Sequence, residues 1–151
     1  MPATNLIAKL RGYFPVGHDL RTDLNQLATK RINLAPGEAL IRAGEKHKCM
    51  YLVEDGWVLR GRYLPGGSRQ IVNFALPGDF LCYNMLMFER SDFDLIAKTP
   101  ASLWELVTKD FRTMMARHPG LAEALVWSAS RSACSLSATS RSTCEVSLSV
   151  W

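Results

Sequence analysis

Cysteine and histidine have the most versatile side-chain chemistry in this chain, because they bind metals, carry out redox reactions and act as nucleophiles. The sequence has four cysteines, at positions 49, 82, 134 and 144, and three histidines, His18, His47 and His118. No two cysteines have the CxxC spacing of zinc and iron–sulfur sites. We therefore expect no metal site and no cofactor, and we expect the thiols to be reduced.

The pattern of these residues also argues against catalysis. A metal-dependent enzyme on a small β-barrel of the cupin type needs two or three histidines and a carboxylate around one ion, usually beginning with a His-x-His pair. The three histidines lie in three separate regions, and we find no Ser-His-Asp or paired-carboxylate pattern. We predict a protein that is not an enzyme and has no catalytic residues, with a cupin-like enzyme as the less favoured alternative.

The chain is mildly basic. It has 18 lysines and arginines against 14 aspartates and glutamates in 151 residues, a net charge of +4. This charge permits an anionic partner without requiring one. Arg60, Arg62 and Arg69 form the densest basic group. Because Arg60 and Arg62 are two apart in a predicted strand, they share one face, which we interpret as the solvated outer face of a sheet.

The first element that must position these residues is helical. Leu20, Leu24 and Leu27 follow one another at helical spacing. The pattern predicts an N-terminal helical segment over residues 1–30, with one apolar stripe that covers the rest of the fold.

From residue 32 to 107 the pattern changes to short apolar or alternating runs, separated by turn signals rich in proline and glycine. Asp55-Gly56 is typical of a type I′ turn, and we predict a hairpin between the strands on either side of it. Many short strands without helices between them indicate an antiparallel sandwich, jelly roll or barrel rather than a parallel α/β sheet.

A helix that opens at Pro119 has an unusually broad apolar surface. Apolar or small residues form two adjacent stripes on it: Leu121, Leu125 and Ser128, and beside them Ala122, Val126 and Ala129. One packed face does not need an arc of this width. We expect one stripe to lie on the β-structure and the other to form a two-fold homodimer. The rival expectation is a monomer in which the tail covers the second stripe.

The end of the chain differs in composition from the rest. Nine serines lie in residues 128–151, against three in residues 1–127. We predict that residues 131–151 are an atypical Ser-rich tail. A native tail, a truncated chain and an altered reading frame are all compatible with this break in composition.

Three segments carry a family resemblance. Pro36–Glu45 reads PGEALIRAGE, Met50–Val58 reads MYLVEDGWV and Gly67–Phe80 reads GSRQIVNFALPGDF. Over residues 15–130 the chain resembles the effector domain of Crp-Fnr transcriptional regulators. The resemblance implies a mainly β fold with flanking α: an antiparallel β-roll or jelly roll of the cyclic-nucleotide-binding type over residues 31–130, with an N-terminal helix and a C-terminal dimerisation helix.

The resemblance also implies a ligand pocket. In the family, a Gly-Glu pair after the Gly-Asp/Glu-Phe step supplies the glutamate that holds the ribose hydroxyl, and an arginine pairs with the cyclic phosphate. Here Cys82-Tyr83 replaces the Gly-Glu pair, and either Ser91 or Arg90 takes the arginine's place, depending on one inserted residue. The pocket residues implied are Phe80, Cys82, Tyr83, Asn84, Arg90, Ser91 and Phe93.

These departures predict an unidentified small-molecule effector other than cyclic AMP. The family reads DNA through a helix-turn-helix domain, which we do not find after Trp127. We therefore expect the sensing and dimerising part of a Crp-Fnr-type transcriptional regulator, which reaches DNA only through a domain absent from this chain. An interaction module with a collapsed pocket and a thiol sensor at Cys82 are open alternatives.

Without a bilayer-length apolar stretch or a secretory signal, we predict a cytoplasmic protein with no membrane partner.

Overall fold

The computed structural model of the chain describes residues 4–12, 15–123 and 125–126. Within them, two helices precede eight strands and a third helix follows. The helices are α1 (Thr4–Leu10), α2 (His18–Leu27) and α3 (Thr108–Arg117). The strands are β1 (Ala28–Leu34), β2 (Ala39–Ile41), β3 (Cys49–Asp55), β4 (Val58–Tyr63), β5 (Arg69–Ala75), β6 (Phe80–Leu81), β7 (Asp94–Ala97) and β8 (Ala101–Val107). A 3-10 turn occupies Tyr83–Leu86.

The strands form two four-stranded sheets. The first sheet has the order β1-β8-β3-β6 and the second has the order β2-β7-β4-β5. Every pairing between these strands is antiparallel. The predicted mainly β fold with flanking helices is therefore confirmed.

Strand β3 is buried on both faces and divides the core into two parts. Met50 and Leu52 pack with the helices in one cluster of buried residues, which includes Phe111 of α3. Tyr51 and Val53, which alternate with them, belong to a second cluster that contains residues of both sheets. Because successive side chains of a strand point to opposite faces, a continuous apolar run was required here.

The predicted hairpin at Asp55-Gly56 is wrong. Gly56 does adopt the left-handed conformation, with φ of 82°. However, β3 belongs to the first sheet and β4 to the second, so the turn carries the chain across the sandwich. The Trp57 N–H donates to the Thr99 hydroxyl at 3.0 Å, and the Lys98 N–H donates to the Trp57 carbonyl at 2.8 Å. The Asp-Gly signal specified the turn, but these distant contacts decide which sheet the next strand joins.

The N-terminal region is helical in two separate pieces. Leu20 and Leu24 of α2 are buried as their spacing predicts, but β1 begins at Ala28, before the predicted boundary at residue 30. The reason is that Ala28 and Lys30 already pair with β8. None of the described helices is long and apolar enough to cross a membrane.

The chain is helical again at residues 119–123 and 125–126. Leu121 is 0% exposed, and Leu125 packs against the same helix-side core. Val126, of the other predicted stripe, is 67% exposed. Leu121 is thus buried within its own chain and is not a contact available to a second copy. Ser128, Ala129 and the tail over 131–151 lie outside the described residues.

Candidate functional site

A tight turn positions the segment in which the site residues were predicted. The Gly78 N–H donates to the Val53 carbonyl at 2.8 Å, and the Leu76 N–H donates to the Asp79 carboxylate at 2.9 Å. Asp79 also forms an ion pair with Lys9 of α1 at 2.6 Å. These contacts fix the start of β6, which pairs with β3 and leads directly into the 3-10 turn.

Cys82 joins β6 to the 3-10 turn and has an unusual backbone. Its φ is 62°, the only positive φ of a non-glycine residue in the described part of the chain. The left-handed conformation costs an L-residue about 1 kcal/mol, whereas glycine adopts it freely. The resemblance places a glycine at this position. Cys82 therefore retains a conformation suited to glycine although the residue type has changed.

The Cys82 side chain is 4% exposed, and burial raises the pKa of its thiol to about 12, although the nearby positive charge of Arg60 acts in the opposite direction. A thiol reacts as its thiolate, so a raised pKa makes it inert near neutral pH. The environment of Cys82 therefore argues against the thiol-sensor alternative.

We predict that Cys82 is the slower of two cysteines to react with iodoacetamide in the folded protein at pH 7.5. Cys49 is only half-buried, and burial raises the pKa of its thiol without enclosing it. Peptide mapping by mass spectrometry should find Cys49 alkylated before Cys82, and the two rates should converge in denaturant. Faster alkylation of Cys82 in the folded state would reinstate the thiol sensor.

Arg60 is the functional candidate that the sequence analysis missed. Its guanidinium carbon lies 5.4 Å from the centroid of the Tyr83 ring and 6.0 Å from that of the Phe93 ring. Both distances are within the range of cation–π contact. Arg60 is half-buried and Arg62 is exposed, so the interpretation of both as a solvated outer face is wrong for Arg60. The available signal was alternation, which places Arg60 on the face of Val58, a residue of the core between the sheets.

Two polar side chains, Asn73 and Ser91, lie next to Arg60 and Phe93, respectively. Asn73 is the direct partner of Arg60 across β4 and β5, and its Oδ1 is buried without a hydrogen bond in the described structure. Ser91 is buried, and its hydroxyl donates to the Phe93 carbonyl at 2.7 Å while accepting from the Phe93 N–H at 3.3 Å. Ser91 thus fixes the loop that presents Phe93. We define the rings of Tyr83 and Phe93 with Arg60, Asn73 and Cys82 as the inner cluster.

The structure does not bring all the predicted pocket residues to the inner cluster. Arg90 is exposed and donates to the Gly44 carbonyl at 2.7 Å. Phe80 contacts Phe111 edge-on, with ring centroids 5.4 Å apart. Phe80 and Tyr83 both pack on the helix-side core, but only Tyr83 of the two contacts Arg60. Phe80 lies there because it precedes Leu81, which points to the other face of the strand. Asn84 lies on the 3-10 turn, and its amide nitrogen is buried without a partner among the described residues.

The inner cluster has no group of metal-binding side chains among the described residues. Within residues 4–12, 15–123 and 125–126, no three His, Cys, Asp or Glu side chains are grouped so that they could hold an ion. The cluster instead combines one cation, two aromatic rings and neutral polar groups. Such an arrangement can bind a small molecule through stacking, hydrogen bonds and a charge.

Comparisons with known proteins identify relatives of the chain and of its fold. The chain is 39% identical over 56 residues to the nitrogen fixation regulation protein FixK of Bradyrhizobium diazoefficiens, a match of 37% of this chain and 24% of that protein. The structure resembles the catabolite activator protein of Thermus thermophilus (TM-score 0.68, 22% identity, 79% of this chain and 56% of that chain). It also resembles the sensor domain of the transcriptional regulator DNR from Pseudomonas aeruginosa (TM-score 0.66, 20% identity, 83% of this chain and 85% of that chain).

The alignment with FixK thus spans about a quarter of that relative's length. The model of the cyclic nucleotide-binding domain matches residues 31–118, which is more than half of the chain. This range contains most of β1, all the other strands, the inner cluster and α3. The chain therefore belongs to the cyclic nucleotide-binding domain family, with homologues among the Crp-Fnr regulators.

Proposed function

We propose that this chain is the effector-sensing and dimerising domain of a Crp-Fnr-type transcriptional regulator and that its effector is not cyclic AMP. The family match over residues 31–118 supports the domain assignment. One observation carries the exclusion of cyclic AMP: Cys82-Tyr83 stands where the resemblance places the Gly-Glu pair. In this proposal the full regulator contacts DNA through another domain.

We expect cyclic AMP to bind poorly because the carboxylate that would accept hydrogen bonds from its ribose is missing. A carboxylate accepts hydrogen bonds from ribose hydroxyls more strongly than a neutral phenol does. The candidate phosphate partner does not compensate, because Arg90 is exposed and bonded to Gly44. A nucleotide bound as in the family would bury its phosphate without that arginine, and burial of an unpaired charge is costly.

We therefore predict that cyclic AMP and cyclic GMP bind weakly or not at all in isothermal titration calorimetry. A matched variant, Cys82→Gly with Tyr83→Glu, restores the family pair and should strengthen cyclic AMP binding by about tenfold or more, because one hydrogen bond to a charged group is regained. Sub-micromolar binding of either nucleotide by the wild type would contradict the proposal.

The inner cluster also gives a reason to consider a second function, an interaction module with a collapsed pocket. Arg60 lies over the Tyr83 and Phe93 rings, and Cys82 and Ser91 are buried, so the chain's own side chains occupy this region. A ligand screen by thermal melting separates the two functions. A sensor gives a rise in melting temperature with at least one small molecule, and a module gives none.

A further inference from the structure

We propose that Arg60 is the specificity-determining residue of the inner cluster and that the effector carries a carboxylate or phosphate group bound by its guanidinium. The inference rests on the proposed sensing function. It adds the chemical class of the effector, and it assigns the charge to a different residue from the one suggested by the resemblance.

The Arg60 side chain has no oxygen partner in the described structure. Three exposed arginines do have one: Arg31 pairs with Glu54 at 2.8 Å, Arg62 donates to Gln70 at 3.0 Å and Arg90 donates to Gly44 at 2.7 Å. Arg11, Arg21 and Arg42 have none there but are exposed to water, unlike Arg60. No hydrogen bond or ion pair of the Arg60 guanidinium occurs in the described part of the chain, although its side chain is half-buried. None of its nitrogens is both buried and without a partner among the described residues, so its N–H donors reach solvent and are open to a ligand.

The contacts that Arg60 does make are with aromatic rings. The Tyr83 and Phe93 rings attract its positive charge, but a ring face supplies no oxygen lone pair. The rings therefore hold the guanidinium in place and leave its N–H groups available. A guanidinium is planar and presents these groups as a fork, which fits the two oxygens of a carboxylate or phosphate.

The neighbour of Arg60 on the adjacent strand β5 is also polar. Asn73 pairs directly with Arg60, which places its amide on the same face of the second sheet. Its Oδ1 is buried and has no hydrogen-bond partner in the described residues. Because Oδ1 is an acceptor, it would need an N–H or O–H donor. A ligand that places its oxyanion on Arg60 and such a donor beside Asn73 would satisfy both groups.

Arg69 is the nearest competitor for such a role, and its surroundings differ. Two of its nitrogens are buried without a partner, and its guanidinium carbon lies 5.8 Å from the centroid of the Tyr63 ring. However, Tyr63 is exposed and β5 is an edge strand. Arg60 lies on the inner strand β4, in contact with two rings and beside the segment that the resemblance assigns to the ligand.

The test compares wild type, Arg60→Gln and the matched control Arg62→Gln, which removes the same charge from the exposed end of the same strand. The probes are sodium acetate, sodium phosphate and acetamide at constant ionic strength, and the readout is the melting temperature as a function of probe concentration. Acetate or phosphate should stabilise the wild type and Arg62→Gln, and acetamide should not. In Arg60→Gln the apparent affinity for the anion should fall at least tenfold. The anion that binds the wild type with the higher apparent affinity, acetate or phosphate, indicates whether the effector carries a carboxylate or a phosphate.

Equal anion-induced shifts in wild type and Arg60→Gln would overturn the inference, as would equal shifts with acetate and acetamide. Absence of a shift in the wild type with both anions would also overturn it. The proposed sensing function would fall only if a panel of uncharged metabolites left the melting temperature unchanged as well. If Arg60→Gln does not fold, Arg60→Lys replaces it: the charge remains, the fork is lost, and the anion affinity should still fall about tenfold.

Discussion

Replacing Gly56 with alanine should lower the free energy of unfolding by about 3 kcal/mol, the sum of conformational strain and overpacking. The φ of 82° is costly for any residue with a Cβ. In addition, a Cβ at this position would lie 2.2 Å from the Pro100 carbonyl oxygen and 2.7 Å from the Ala101 Cα. Both are backbone atoms, so no side-chain rotation relieves the clash. Urea denaturation followed by circular dichroism measures the loss.

Gly37→Ala is the matched control. Gly37 has nearly the same φ, 85°, and a Cβ there would meet nothing within 4 Å. Gly37→Ala should therefore lower the free energy of unfolding by about 1 kcal/mol, which is the conformational strain alone. Equal losses for the two variants would show that the close approach at Gly56 does not matter. Gly56 also matters for the candidate site. The turn at Gly56 leads the chain into β4, which begins two residues before Arg60.

The same turn shows what the sequence could and could not predict. The Asp-Gly pair is a local signal, and the turn is present with its glycine in the left-handed conformation. The partner of the following strand is not a local property. It depends on hydrogen bonds from Trp57 to Thr99 and from Lys98 to Trp57 across more than 40 positions. Short strands and turns were predictable from nearby residues for this reason, and the distribution of strands between the sheets was not.

In the candidate site too, residues within one stretch of sequence could be assigned and a residue from a distant strand could not. The segment from Gly78 to Tyr83 was assigned to the ligand pocket through the family resemblance along one stretch of sequence. Arg60 was missed because it reaches Tyr83 and Phe93 from a different strand. Its alternation with Val58 indicated an inward face, but a pair of arginines in a strand is more often solvated, and we followed that rule. Phe80 and Tyr83 both pack against the helix-side core, whereas Leu81 belongs to the core between the sheets. The assignment of Phe80 to the ligand pocket stays a prediction.

Val126→Glu should convert a homodimer of this chain into a monomer if the proposed dimerisation is right. Val126 is exposed, and Ala122, four residues earlier, lies on the same stripe of the helix. Burying an unpaired carboxylate in an interface costs several kcal/mol, so the dimer dissociation constant should rise at least about 100-fold. Size-exclusion chromatography with light scattering over a range of concentrations measures the change.

The choice of Val126 rather than Leu125 follows from the packing. Leu125 contacts the helix-side core, so a charge there would unfold the helix and mimic dissociation. The matched control is Met87→Glu, which adds the same charge at a side chain that is 81% exposed and outside the helix. It should leave the dimer intact. A wild type that is monomeric at high concentration would contradict the proposal, because the stripe of Ala122 and Val126 would then have no role between copies.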